Sequence, residues 1–213
     1  MKKISITFIV VLIFCLFCFA QADPREEMRK ARQENTEMRK NLAWLMEGLL
    51  ILSSHKEKTL ALSKTQAQKI LPLLNELVAK KIIDVEINEE QRQWGSRNRG
   101  NQGNQGGGFW NMDEAQLQKF LKTMKEQTKL GNDKIDQIDN LLKEKQISFI
   151  DNMKFDGKKY GFFETRQFRN QGEEMQRPDA AQMEAMRKRM QEARKRLVKL
   201  NNDVLQALAK LSK

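Results

Sequence analysis

Apolar side chains recur at alternating steps of three and four along two long stretches of the chain. That spacing keeps one face of an α-helix apolar. The first seam reads Met28, Ala31, Asn35, Met38, Leu42, Leu45, Leu49, Leu52, with Asn35 its one polar member. Trp44, Met46, Leu50 and Ile51 widen it, so its C-terminal half is expected to lie deeper than the narrow, charged first half. The second seam reads Met183, Met186, Met190, Ala193, Leu197, Leu200, Val204, Ala207, Leu211. Such regularity predicts a long helix packed along another one.

Helix starts are marked by an oxygen-bearing cap followed three residues later by Glu or Gln, which can satisfy each other's free backbone N–H groups. Asp23 with Glu26, Ser63 with Gln66, Asp113 with Gln116 and Asp179 with Gln182 all have this form. Leu62 and Met112 stand just before their caps, where they can staple the first turn. The helix after Ser63 is expected to reach about Lys81, kinked at Pro72, because proline removes a backbone donor. The helix after Asp113 is expected to bury Leu117, Phe120, Leu121 and Met124, and Gly131 predicts its stop. A fourth helix from about Asp133 buries Ile135, Ile138, Leu141 and Leu142.

Leu142-Lys143-Glu144-Lys145-Gln146 repeats the outline of the second start with Lys in place of a cap. Ile147, Ile150 and Met153 carry the apolar face onward, leaving a break at Lys143 open. Phe155-Asp156-Gly157 predicts a turn, and Tyr160, Phe162, Phe163 and Phe168 an irregular loop over the core. No alternating strand pattern occurs. The expected fold is all-α, with long amphipathic helices in a hairpin or bundle. One helical domain should span residues 23–213. It is interrupted at 95–108, where fourteen residues hold six glycines and five Asn or Gln; such a tract cannot offset its ordering entropy and reads as a flexible linker.

The first 22 residues change the picture. Lys2 and Lys3, an apolar run from Ile4 to Phe19, and Ala20-Gln21-Ala22 read as a signal peptide cleaved near Ala22, so the protein is expected to be exported. Cys15 and Cys18 would leave with it, which excludes disulfides, thiolate metal sites and thiol catalysis from the mature chain. The net charge would fall from +11 to +9.

Catalytic constellations are lacking. His55, the single histidine, sits in a short polar connection without an orienting acid, and Asp133, Asp136 and Asp139 drift around a helix without calcium-loop spacing. The glycine tract lacks a phosphate-loop ending. The chain therefore reads as no enzyme, with no cofactor and no metal. Arg92, Arg97 and Arg99 near Trp94, Phe109 and Trp110 outline an RGG-like segment, but export favours a solvated linker over nucleic acid.

Recognition remains. Methionine adapts to irregular apolar surfaces. Met183, Met186 and Met190 lie a turn apart beside Arg187 and Arg189, and Met28 and Met38 occupy the thin half of the first seam. A basic, methionine-lined surface can attract an acidic or partly unfolded polypeptide and hold its apolar parts. The competing readings are a structural coiled-coil module and a basic helix on an anionic envelope surface.

Leu62-Ser63-Lys64-Thr65-Gln66 resembles the LTxxQ motif of the Spy/CpxP family, with Ser63 for Thr, and Met112-Asp113-Glu114-Ala115-Gln116 resembles a degenerate second copy. The resemblance implies a helical, often dimeric cradle in the bacterial periplasm. It implies an ATP-independent chaperone of unfolded polypeptides, or a stress adaptor on an envelope sensor protein.

Overall fold

A computed structural model describes residues 24–87, 113–162 and 180–213. The predicted signal peptide at 1–22, the Gly-rich tract at 95–108 and the residues Asp23, Met112, Phe163, Phe168 and Asp179 lie outside the described residues. In chain order the elements are α1 (Pro24–Ser53), α2 (Lys64–Ala79), α3 (Glu114–Asp139), α4 (Glu144–Asp151), a 3-10 turn (Gly157–Tyr160) and α5 (Ala180–Ser212). No strand occurs among the described residues, and the fold is all-α.

Helix α1 packs against α3, α4 and α5, while α2 packs against α3 and α5. The core follows the two seams. Met38, Leu42, Leu45, Met46, Leu49 and Leu52 from α1 meet Ile70, Leu74 and Leu77 from α2, Ile138 from α3, and Leu200, Val204 and Leu208 from α5. The thin first half of α1 forms a smaller cluster in which Met28 and Ala31 meet Leu121, with Leu117 and Met124 at its edge. Phe120, expected on the same buried face of α3, is exposed instead. Asn35, the polar seam position, donates to the Thr128 hydroxyl across the α1–α3 interface at 2.9 Å and accepts from Arg39 at 3.1 Å. A polar group in a seam is tolerated when it is bonded in this way.

Helix α2 begins as its cap predicts. The Ser63 hydroxyl accepts from the Gln66 backbone N–H at 3.2 Å, and the Gln66 side chain accepts from the Ser63 N–H at 3.0 Å. The helix runs through Pro72 and ends at Ala79, two residues before the expected end. Its stop is a Schellman motif without glycine: Lys81 takes the left-handed conformation (φ 57°), its N–H meets the Val78 carbonyl, and the Ile82 N–H meets that of Leu77.

Gly131 does not stop α3, which is a single helix of 26 residues. The expectation of two helices is corrected by packing. A Cβ on Gly131 would lie 2.4 Å from the Met38 sulfur, so glycine here allows α1 to approach α3. Gly48 on α1 meets Ile150 of α4 in the same manner, at 2.6 Å. The chain does break at Lys143, where α4 starts without a side-chain cap.

The aromatic segment lies over the core as far as it is described. Phe155 stacks between Trp44 and Tyr160, with ring centroids 6.2 and 5.7 Å apart, and the buried Tyr160 donates its hydroxyl to Glu47 at 3.0 Å. Asp156 caps the 3-10 turn through the Lys158 N–H, as the Phe155-Asp156-Gly157 turn predicts.

Candidate functional site

The seam of α5 is continuous in sequence, but its burial is divided. From Ala193 onward it enters the core: Ala193, Leu200 and Val204 are buried, Leu197, Ala207 and Leu211 are half-buried, and Val198 and Leu208 beside the seam are buried too. Before Ala193, no side chain from Ala180 to Glu192 is buried and only Met183 is partly covered. That stretch of helix, about 20 Å long at the usual rise, lies on the surface. Met186 and Met190 are 53 % and 52 % exposed, far above the other large apolar side chains that reach solvent.

The charge on this stretch is arranged around the methionines. Arg187, Lys188 and Arg189 are all exposed. Helical spacing sets Arg189 one turn beyond Met186 and Arg187 one turn before Met190, so each exposed thioether has a guanidinium neighbour on its own face. Lys188 pairs with Glu184 at 2.9 Å and Lys195 with Glu192 at 2.8 Å. The Lys195 ammonium beside it, through hydrogen bond and charge, holds the Glu192 carboxyl below its ordinary value. Arg194 reaches Asp84 at 3.8 Å and marks where the helix joins the body, next to Asn201 and Asn202, which donate to the carbonyls of Asp84 and Val85.

Met28 and Met38, expected on the same surface, are a correction. They are 6 % and 1 % exposed, Met28 packed with Ala31 and Leu121 and Met38 against Gly131, because α3 covers the narrow half of α1. The expected methionine face is therefore confined to α5.

The capping residues have unequal roles. Asp113 caps α3 by accepting from the Gln116 N–H at 2.7 Å, but Asp113 and Gln116 are both exposed at the start of their helix. The pentad that meets Leu62–Gln66 in space is Leu142–Gln146. Gln66 donates to Gln146 Oε1 and to the Leu141 carbonyl, each at 2.8 Å, while Gln146 donates to the carbonyls of Leu60 and Ala61 at 3.0 and 3.1 Å. Leu62 is buried beside them. Leu142–Gln146 was legible in the sequence only as an outline. Its missing cap hid it, although its spacing was visible.

No family model matches this chain, and neither a curated protein nor a solved structure matches it.

Other chemistry is sparse among the described residues. His55 accepts from the Glu57 N–H at 3.2 Å and meets the Phe149 ring edge-on at 5.5 Å, which accounts for it locally. Asp133 and Asp136 are exposed and Asp139 half-buried. Burial first, and then the charges of Asp136 and Asp151, raise the Asp139 carboxyl above its ordinary value. No group of three or more His, Cys, Asp or Glu side chains among the described residues could hold a metal ion. No described helix is long and apolar enough to cross a membrane.

Proposed function

We propose that this chain is an exported, ATP-independent chaperone-like or stress-adaptor protein that holds polypeptide partners on the first half of α5. The observation that carries the reading is the exposure of Met186 and Met190 beside Arg187 and Arg189, on a seam that is buried or half-buried from Ala193 onward. Exposed thioethers supply apolar contact without demanding a fixed shape, and the arginines attract acidic segments from a distance. Met183, partly covered, extends the same face by one turn.

The export reading rests on the signal-like first 22 residues, and the periplasmic one on the LTxxQ resemblance of Leu62–Gln66. A client would be an unfolded or acidic polypeptide, or an envelope sensor domain. A homodimer would cover the three seam positions, Met183, Met186 and Met190, that precede the buried part of α5.

The test is suppression of aggregation of a denatured model substrate, without ATP, at near-stoichiometric ratio. Protection is expected, and it should be lost when Met183, Met186 and Met190 are changed together to Ser in a protein that remains folded. Absence of protection at every salt concentration would reject the reading. A second reading, attachment to an anionic envelope surface, is favoured by the basic run Arg187-Lys188-Arg189 and would be supported by co-sedimentation with anionic but not neutral vesicles.

A further inference from the structure

The described methionines differ widely in exposure. Met28, Met38 and Met46 are sealed in the interior at 6 %, 1 % and 0 % exposure, and the Met38 sulfur is pressed against the backbone of Gly131. Met124, Met153 and Met183 are partly covered. Met186 and Met190 are each more than half exposed, one turn apart on one helix, and neither supports the core. Oxidation of a thioether follows its access to oxidant, and its effect on the fold follows how much of the core it fills. Among the described residues, the two sulfurs easiest to reach are therefore the two whose oxidation costs the fold least.

We propose that Met186 and Met190 form an oxidation-sensitive site that switches the α5 surface from apolar to polar without unfolding the protein. The co-reactant is a peroxide. The thioether sulfur attacks one peroxide oxygen, the O–O bond breaks, an S–O bond forms, and the remaining oxygen leaves as water after proton transfer. Sulfur is oxidised by two electrons and the peroxide is reduced by two. Each sulfoxide oxygen is a strong acceptor with a guanidinium one helical turn away, Arg189 for Met186 and Arg187 for Met190. That neighbourhood suits the polar, oxidised side chain, while the apolar contact offered to a polypeptide is lost. The inference rests on the proposed polypeptide-binding role of the same face.

The experiment treats the purified protein with graded hydrogen peroxide and maps sulfoxides by peptide mass spectrometry, alongside circular dichroism, thermal melting and capture of a denatured model polypeptide. Met186 and Met190 should convert at least about fivefold faster than Met28, Met38 and Met46, as their exposure dictates. Helix content and Tm should stay unchanged at that stage. Capture should weaken about tenfold or more and return after methionine sulfoxide reductase. The variant Met124→Leu, Met153→Leu, which removes partly covered thioethers away from the α5 face, should lose capture after the same peroxide dose as the unaltered protein does.

Conversion of Met38 or Met46 as early as Met186 would overturn the inference. Capture undiminished after both sites are sulfoxides would overturn it too, and would leave the binding role standing. A reduced protein that captures nothing instead refutes the binding role, and the switch with it.

Discussion

Gln66 and Gln146, eighty positions apart in sequence, are joined side chain to side chain by a hydrogen bond of 2.8 Å. Each also reaches back to the backbone N–H at the start of its own helix, Gln66 to Ser63 and Gln146 to Lys143. Each then donates across to the loop that precedes the other helix. One residue type thus caps two helices and ties their entry loops together in a nearly symmetric exchange.

Gln146 is fully buried, so its bonds have no water to replace them. Gln146→Ala should destabilise by about 2–4 kcal/mol, because the carbonyls of Leu60 and Ala61 and the Gln66 amide lose partners in the interior. Chemical denaturation measures this, and Gln116→Ala, exposed at its own helix start, should cost less than about 0.5 kcal/mol.

Gly131→Ala separates a helix stop from a packing contact. An alanine at a stop within helical geometry would be neutral or stabilising by about 1 kcal/mol. Against the Met38 sulfur it should instead destabilise by about 1–3 kcal/mol, since the buried thioether must shift to admit the methyl group. Combining it with Met38→Ala should cost less than the two changes added, as a double-mutant cycle would record.

The α5 seam should be energetically divided at Ala193. Met186→Ala is expected to change stability by less than about 0.5 kcal/mol, whereas Leu200→Ala should cost about 2–5 kcal/mol. Replacing Arg187 and Arg189 by Glu should slow association with an acidic polypeptide and weaken its salt dependence, leaving the melting temperature unchanged.

Asp139 gives a pH signature. Its carboxyl is raised by burial and by Asp136 and Asp151, so the folded state holds this proton more tightly than the unfolded chain does. The stabilisation is complete below the unfolded value and is lost as pH rises through the raised, folded one. Asp139→Asn should therefore raise Tm at pH 7 and flatten the pH dependence that sets in above the ordinary carboxylate value, as thermal melts from acidic to neutral pH would record.

Lys81 holds a left-handed conformation that costs a side-chain-bearing residue about 1 kcal/mol. Lys81→Gly should recover much of that, raising stability without moving the end of α2, which amide exchange at Ile82 and Ile83 can follow.

The long helices of α1 and α5 and the starts of α2 and α3 were legible in the sequence because their causes are local. The Ser63 cap needs only Gln66, three residues away, and the alternating steps of α1 and α5 state which face must leave water. All-α architecture follows from such short-range terms. Glycine was ambiguous for a physical reason: Gly131 lacks a Cβ whether it ends a helix or admits a neighbour, and only the position of Met38 decides between them. The partner of the first pentad was hidden because Gln146 acts through carbonyls at Leu60 and Ala61, whose approach depends on how α1, α3 and α4 are packed. The methionines make the division plain. Met28 and Met186 stand in seams of the same spacing beside similar charges, and nothing in the sequence near either one sets its exposure. Helix α3 covers the first half of α1, and no described element covers the first half of α5. Burial is a property of what lies opposite, and only the tertiary structure supplies it.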